Sequence, residues 1–222
     1  CMHSLVALLP MKGHSERVPH KNIRPMCGKP LFFYIAQTLQ DCRYIKSIIV
    51  NTDSEHIAEM AQSHFPKVII HWRPEELRGD LVSMNAIIAD DMARCEGEHF
   101  LQTHSTNPLL KTATLEKGIE AYFQHLDTYD SLFAVTRLQT RLYWASGEPV
   151  NHNPAELKRT QDLPPLFEEN SCFYLFSRKS FVASGNRRIG LHPQMFPIDK
   201  LESIDIDNPQ DFVLAETLMQ AL

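Results

Sequence analysis

No apolar run in this sequence approaches the ~18–20 residues that a membrane-spanning helix needs, so no membrane partner is expected. The first ten residues, Cys1 to Pro10, are too short and lack the basic start of a secretory signal, and they read as a buried first strand. The five cysteines (Cys1, Cys27, Cys42, Cys95, Cys172) form no C-x-x-C pair and no even framework. That argues against a disulfide scaffold and for free thiols in a reducing cytoplasm. The eleven histidines offer no H-E-x-x-H spacing. Positive charge is not in excess either: the formal net charge is −5, whereas non-specific nucleic-acid binding depends on a large basic surface. A single small triphosphate needs only a few local cations and stays open as a ligand. No internal repeat, low-complexity tract or Gly/Ser linker divides the chain.

What is present suits one α/β domain. Hydrophobic residues make up 43% of the 222 residues and charged residues 22%, enough for a buried core and a polar surface. Short apolar runs at Leu5–Leu9, Ser47–Val50, Val68–Trp72, His99–Gln102, Leu132–Val135 and Cys172–Phe176 read as buried strands. Helical segments lie between them near Pro30–Gln40, Ser54–His64, Ser83–Cys95 and Thr112–His125. This alternation predicts a single domain with a mostly parallel sheet flanked by helices. Pro30 suits a first helical turn, and Asp53 or Ser54 a cap. In the last helix Asn208 caps, Pro209 takes the first position, and Leu214, Leu218 and Leu222 share one face. The stretch 138–170 is polar, holds Pro149, Pro154, Pro164 and Pro165, and is too long for an ordinary connection, so it reads as a functional or interface excursion.

In an open parallel sheet a ligand sits beyond the carboxyl ends of the strands. The loop after the first strand, Pro10 to Asn22, carries Lys12, Arg17 and Lys21 together with Gly13 and Ser15. Backbone N–H groups come close to phosphate oxygens at Gly, while Lys and Arg neutralise charge. A solvated basic loop is the alternative, and the Walker A pattern is absent. Asp205 and Asp207 stand two apart, so an extended segment would put both carboxylates on one face and Ile204 and Ile206 on the other. Two hard oxygen ligands suit Mg²⁺; spacing alone equally allows exposed acids near the N-terminus of the last helix.

Several blocks share one order with a known family. They run Pro10-Met11-Lys12-Gly13-His14-Ser15-Glu16, Lys21-Asn22, Gly28-Lys29-Pro30-Leu31, Asn51-Thr52-Asp53, Gly79-Asp80 with Ser83, and Leu101-Gln102 to Asn107-Pro108-Leu109. Gln161-Asp162-Leu163-Pro164, Glu169-Asn170 and Ser203-Ile204-Asp205-Ile206-Asp207 with Asp211-Phe212 complete them. The chain thereby resembles the acylneuraminate cytidylyltransferases over nearly its whole length. Three loop positions differ: Lys12 stands where the family usually has Arg, His14 where Gly is common, and Glu16 where Lys is common.

The resemblance implies a Rossmann-like nucleotidyltransferase that joins CTP to an acidic 2-keto sugar such as sialic, legionaminic or pseudaminic acid. It implies nucleotide binding by Lys12, Gly13, Ser15, Arg17, Lys21, Asn22, Asp80 and Ser83, and a Mg²⁺ site at Asp205 and Asp207. Lys12, Lys21 and Asp207 would be catalytic. On the sugar side it implies Gln102, Gln161 and Asn170; Arg141 and Arg159 are candidates for the sugar carboxylate, since Arg pairs with carboxylates bidentately. A homodimer through the 138–170 excursion is also expected. The alternatives are a non-catalytic nucleotide or sugar binder on the same fold, or an enzyme using another NTP or a Kdo-type sugar.

Overall fold

The computed structural model describes residues 3–14 and 17–222, so Cys1, Ser15 and Glu16 lie outside the described residues. In chain order the strands and helices are β1 (Leu5–Leu8), β2 (Pro25–Met26), β3 (Lys29–Pro30), α1 (Phe32–Asp41), β4 (Ile45–Thr52), α2 (Glu55–His64), β5 (Val68–Trp72), α3 (Met84–Ala93), β6 (His99–Thr103) and α4 (Thr112–Gln124). Then follow β7 (Ser131–Leu138), β8 (Leu166–Ser177), α5 (Arg178–Ala183), β9 (Pro193–Pro197) and α6 (Pro209–Ala221). Among the described residues seven strands form one sheet in the order β5-β4-β1-β6-β8-β7-β9, and β2 pairs with β3 in a small hairpin. Every pairing in the large sheet is parallel except β6–β8 and β7–β8.

Strand alternation divides the core. Leu5, Ala7, Ile48, Val50, Leu101, Phe173 and Leu175 face α1, α2 and α4, whereas Val6, Leu8, Ile49, Phe100, Tyr174 and Phe176 join α3 and α5 on the other side. Period-2 side-chain placement makes a sheet buried on both faces read as continuous apolar runs. A third cluster joins Met26 and Leu31 of the hairpin region to Ile206 and to Phe212 and Ala215 of α6.

Several boundaries differ from the sequence reading. Pro30 lies in β3 rather than in a helix, and α1 starts at Phe32. Ser54 is the cap of α2, its side chain accepting from Ile57 N. Asn208 and Asp211 form a reciprocal cap on α6. The expected Leu214–Leu218–Leu222 face is not the buried one: Leu214 and Leu222 are exposed, and the helix buries Phe212 and Ala215. The excursion is shorter than expected, because β8 already begins at Leu166. In β8, residues 170–173 lie opposite the single residue Ala134, between the Phe133–Tyr174 and Val135–Glu169 pairs. Ser171 takes φ 61° within this bulge. Asn170 holds the bulge closed, its Nδ2 donating to Thr136 Oγ1 (3.0 Å) and its Oδ1 accepting from Cys172 N (3.1 Å).

Gly118 of α4 is where helix and sheet come closest: a Cβ there would lie 2.8 Å from Phe173 Cε2, inside the packed core. Gly118→Val should lower stability by about 1–3 kcal/mol through overpacking. Urea denaturation should show this as a lower midpoint with unchanged m; a midpoint at or above wild type would contradict the packing.

Candidate active site

The order β5-β4-β1-β6 places a reversal of strand progression between β1 and β6, and crevices form at such reversals beyond the carboxyl ends. A cleft of about 210 Å³ opens there, with Lys12, Lys21, Arg73, Asp80 and His104 on its walls and Met84 and Ile87 beneath. The loop after β1 is tied down on both sides. Met11 N donates to Asn51 O (2.9 Å), and Gly13 N donates to Asp53 Oδ1 (2.7 Å). A Cβ at Gly13 would lie 3.1 Å from Ser54 Cβ, so the loop can sit this close to α2 only with a glycine or a local shift.

Asn22 links this loop to the one after β6. Its Nδ2 donates to Lys12 O (2.9 Å), and its Oδ1 accepts a short hydrogen bond from Ser105 Oγ. Both ends of the amide are occupied, so Asn22 shapes the cleft by holding two loops together.

Lys12 Nζ lies 2.7 Å from Asp80 Oδ1, with both side chains over 40% exposed (41% and 46%). An exposed pair is worth about 0–1 kcal/mol, so a polyphosphate can compete for the ammonium. Lys21 is held more firmly, with Nζ 3.3 Å from Ile206 O. Burial lowers its pKa, while Asp205 and Asp207 oppose that shift.

The segment Ile204 to Asp207 is clamped against the cleft by its backbone. Ile206 N donates to Thr106 O (3.0 Å), Asn107 Nδ2 reaches Ile204 O (3.4 Å), and the Ile206 side chain is fully buried. Asp207 N and Asn208 N both donate to Asp211 Oδ2, at 3.0 and 3.1 Å. With the two isoleucines in one apolar cluster, the carboxylates of Asp205 and Asp207 meet on the other face. Burial pushes Asp205 up to about 6; a Thr106 hydrogen bond opposes this, and the charge and hydrogen bond of Asp207 add to it. Two carboxylates this close, each raising the cost of ionising the other, are a donor set that a divalent cation would satisfy. Among the described residues no group of three or more His, Cys, Asp or Glu could hold a metal. A cation here would therefore draw its other ligands from phosphate and water, as Mg²⁺ commonly does.

Other expected residues are placed as follows. Ser83 caps α3, accepting from Ala86 N (3.2 Å). Arg17 is exposed, near enough to Lys21 to lower its pKa. Gln102 is fully buried: its Oε1 accepts from Arg188 Nη1 (2.6 Å) and its Nε2 donates to Thr103 O (2.9 Å). Asn170 serves the β8 bulge. Arg141, Arg159 and Gln161 lie in the excursion and do not line the cleft. Arg141 Nη2 donates to Lys158 O (2.5 Å), Arg159 pairs with Asp162 (3.0 Å), and Gln161 O accepts from Gln139 Nε2 (2.7 Å).

Two residues, Arg73 and Arg188, escaped the sequence reading, and His104 was noted there only as part of its loop. Arg73 follows β5 directly and is buried, donating to Asn51 Oδ1 (2.8 Å) and Asn51 O (3.1 Å), with burial lowering its pKa. The strand-end rule applied to β5 would have found it. His104, within the loop after β6, is pushed down to about 4, by burial first and then by Arg188 and Lys21. Arg188 lies between α5 and β9, in a segment with no strand-end signal.

A family model described as cytidylyltransferase matches residues 6–221. The chain belongs to this cytidylyltransferase family. It is 30% identical over 219 residues to N-acylneuraminate cytidylyltransferase A of Danio rerio, covering 95% of this chain and 49% of that protein. It is 25% identical over 228 residues to CMP-N,N'-diacetyllegionaminic acid synthase of Legionella pneumophila (97% of this chain, 96% of that one). The pseudaminic acid cytidylyltransferase of Campylobacter jejuni is 25% identical over 224 residues, with 96% and 95% covered. The chain thus spans about half the length of the fish relative and nearly all of these bacterial ones. Among solved structures, a CMP:2-keto-3-deoxy-manno-octonic acid synthetase complexed with CTP superposes with a TM-score of 0.71 at 13% identity, covering 99% of this chain and 100% of that one. A 4-diphosphocytidyl-2C-methyl-D-erythritol synthase from Anaerococcus prevotii gives 0.68 at 10% identity, with 98% and 96% covered. At these identities the likeness concerns the fold, a mostly parallel α/β sheet flanked by helices.

The acid pair makes this family member's stability depend on pH. A carboxyl whose folded pKa is raised to about 6 adds stability below its unfolded value of 3.8 and loses it as pH rises through about 6. Mg²⁺ should therefore raise the melting temperature more at pH 8 than at pH 5. Asp205→Asn, which removes the repulsion, should be no less stable than metal-free wild type at pH 8 and should lose the Mg²⁺ response. Differential scanning fluorimetry checks both; an equal Mg²⁺ shift at the two pH values would refute the assignment.

Proposed function

We infer that the protein joins the CMP portion of CTP to the anomeric hydroxyl of an acidic 2-keto sugar, releasing pyrophosphate. The observation that carries this is the Asp205–Asp207 pair, held beside Lys21, which lines the strand-end cleft. Family membership and the nearly full-length likeness to bacterial legionaminic and pseudaminic acid enzymes support the choice of CTP and of a sialic-acid-type acceptor.

In this reaction the sugar hydroxyl attacks the α-phosphorus in line, a new P–O bond forms, and the bond to the β-phosphate oxygen breaks. Lys12, released from Asp80, and Lys21 neutralise the triphosphate, so charge developing on the leaving pyrophosphate meets fixed cations. Asp207 orients the attacking hydroxyl and accepts its proton, while Asp205 and Asp207 would hold Mg²⁺. Bound there, Mg²⁺ supplies Lewis-acid charge neutralisation at the phosphates. Arg73, already charged and buried against Asn51, supplies a fixed donor on the cleft wall.

The fold also supports a homodimer. The 139–165 connection exposes Tyr143 and Trp144, and aromatic residues are enriched in interface cores. Arg141, Arg159 and Gln161 would then serve a partner's cleft rather than their own. Among the described residues no helix is long and apolar enough to cross a membrane, and the free cysteines and a CTP substrate favour the cytoplasm.

Pyrophosphate release should occur with CTP and Mg²⁺ and one of N-acetylneuraminic, N,N'-diacetyllegionaminic or pseudaminic acid, and should be far slower with ATP, GTP or UTP. Asp207→Asn should lower kcat by about 10²–10⁴-fold, with an unchanged far-UV spectrum. Faster turnover of another NTP, or full activity in Asp207→Asn, would overturn the assignment.

A further inference from the structure

The acceptor side contains a cation that no carboxylate neutralises directly. Arg188 stacks over the Tyr174 ring, its guanidinium carbon 3.8 Å from the ring centroid. Its Nη1 donates to Gln102 Oε1 (2.6 Å) and its Nη2 to Tyr174 OH (3.2 Å). Both acceptors are neutral, and among the described residues Arg188 makes no ion pair. The nearest acid in this chain of contacts, Glu169, is one step away, accepting from Tyr174 OH. Arg188 is well shielded from water, and burial lowers its pKa. A shielded guanidinium without a counter-charge is costly, and with two of its five N–H groups engaged it has donors to spare.

Its surroundings hold it rigidly and lead to the cleft. Arg188 N donates to Asn85 Oδ1 (3.3 Å) on α3. Tyr174 OH also accepts from Ser171 Oγ (3.1 Å) in the β8 bulge, which anchors the ring under the guanidinium. Gln102 Nε2 lies 3.3 Å from His104 Nε2, and His104 lines the cleft beside Lys21. A neutral His104 can accept that N–H, so the row Tyr174–Arg188–Gln102–His104 runs from the bulge to the cleft wall with every member held by its neighbour. Arg141 and Arg159, the sequence's candidates for the acceptor's carboxylate, are exposed in this chain's own excursion and bonded there.

We propose that Arg188 is the specificity-determining residue for the acceptor's acidic group, its planar fork taking the carboxylate while Tyr174 and Gln102 keep the fork in position. The proposal rests on the cytidylyltransferase reading. It adds to that reading which residue of this chain distinguishes an acid from its neutral counterpart. Planarity is part of the role: Lys would keep the charge but lose the stack on Tyr174 and the two-pronged geometry.

The test uses the full chain with CTP, Mg²⁺ and whichever of the three sugar acids wild type converts, together with the same sugar carrying a carboxamide in place of the carboxylate. Wild type should prefer the acid over the amide. In Arg188→Met the acceptor KM should rise about 10- to 100-fold and the acid–amide preference should collapse, while CTP affinity, measured by calorimetry, stays within twofold. Arg188→Lys should restore part of the preference. A merely structural role would weaken acid and amide alike, so unchanged discrimination in a folded Arg188→Met overturns the proposal and leaves the reaction assignment standing. Wild type that binds CTP yet converts none of the acids overturns both.

Discussion

The site depends on how a short, strandless segment is held against the ends of the sheet. Ile206 does this with three groups at once: a buried side chain, an N–H given to Thr106 and a carbonyl that receives Lys21. With Ile206 fixed, the residues on either side must direct their carboxylates the opposite way. Desolvation and mutual repulsion then raise Asp205. Apolar burial behind the segment thus maintains an unfavourable charge arrangement in front of it, and a cation with phosphate can relieve that arrangement. The hydrophobic contact and the acid pair are two sides of one backbone segment.

The same coupling reaches the phosphate loop. Thr106, which holds Ile206, is next to Ser105, which donates to Asn22, and Asn22 in turn holds the carbonyl of Lys12. Lys12, Asn22, Ser105, Thr106 and Ile206 are therefore joined in one hydrogen-bonded chain at the cleft. Catalysis by positioning needs such links, because cations that have to reorganise during reaction contribute less to the transition state. The Lys12 side chain is the exception, lying on an exposed ion pair that a ligand can break.

Much of this was legible in the sequence where a simple periodicity controlled the outcome. Apolar runs marked β1, β4, β5, β6 and β7, and the strand-end rule led to Lys12, Lys21 and the loop after β6. The alternation of acids and isoleucines gave the correct faces for residues 204–207. What was lost had physical reasons. β9 begins and ends with proline, which is tolerated because it is an edge strand paired only with β7. In α6, spacing of four linked three leucines, but the buried stripe follows Phe212 and Ala215, spaced by three; either spacing makes a helical face, and only the docking partner decides between them. The contact of Gln102 with Arg188 was invisible in the sequence, because it depends on a segment 86 residues away.

The two halves of the site differ in how the fold makes them. The nucleotide half is formed by loops leaving parallel strands, so each contributing residue stands at a position that strand ends announce. The Arg188 network, proposed for the acceptor, stands on the antiparallel strand β8, where four residues against one twist the backbone and turn Asn170 and Ser171 to internal partners. A bulge has no composition signal of its own, and Arg188 reaches it from a connection after α5. Such an arrangement can change without disturbing the triphosphate loop, since Arg188 touches Gln102, Tyr174 and Asn85 but not the Asn22 bridge. Among the described residues the contacts around Arg188 and those of the phosphate loop form separate networks that approach each other at His104 and Lys21. If Arg188 reads the acceptor as proposed, that separation would let one fold keep its nucleotide while its acceptor diverges.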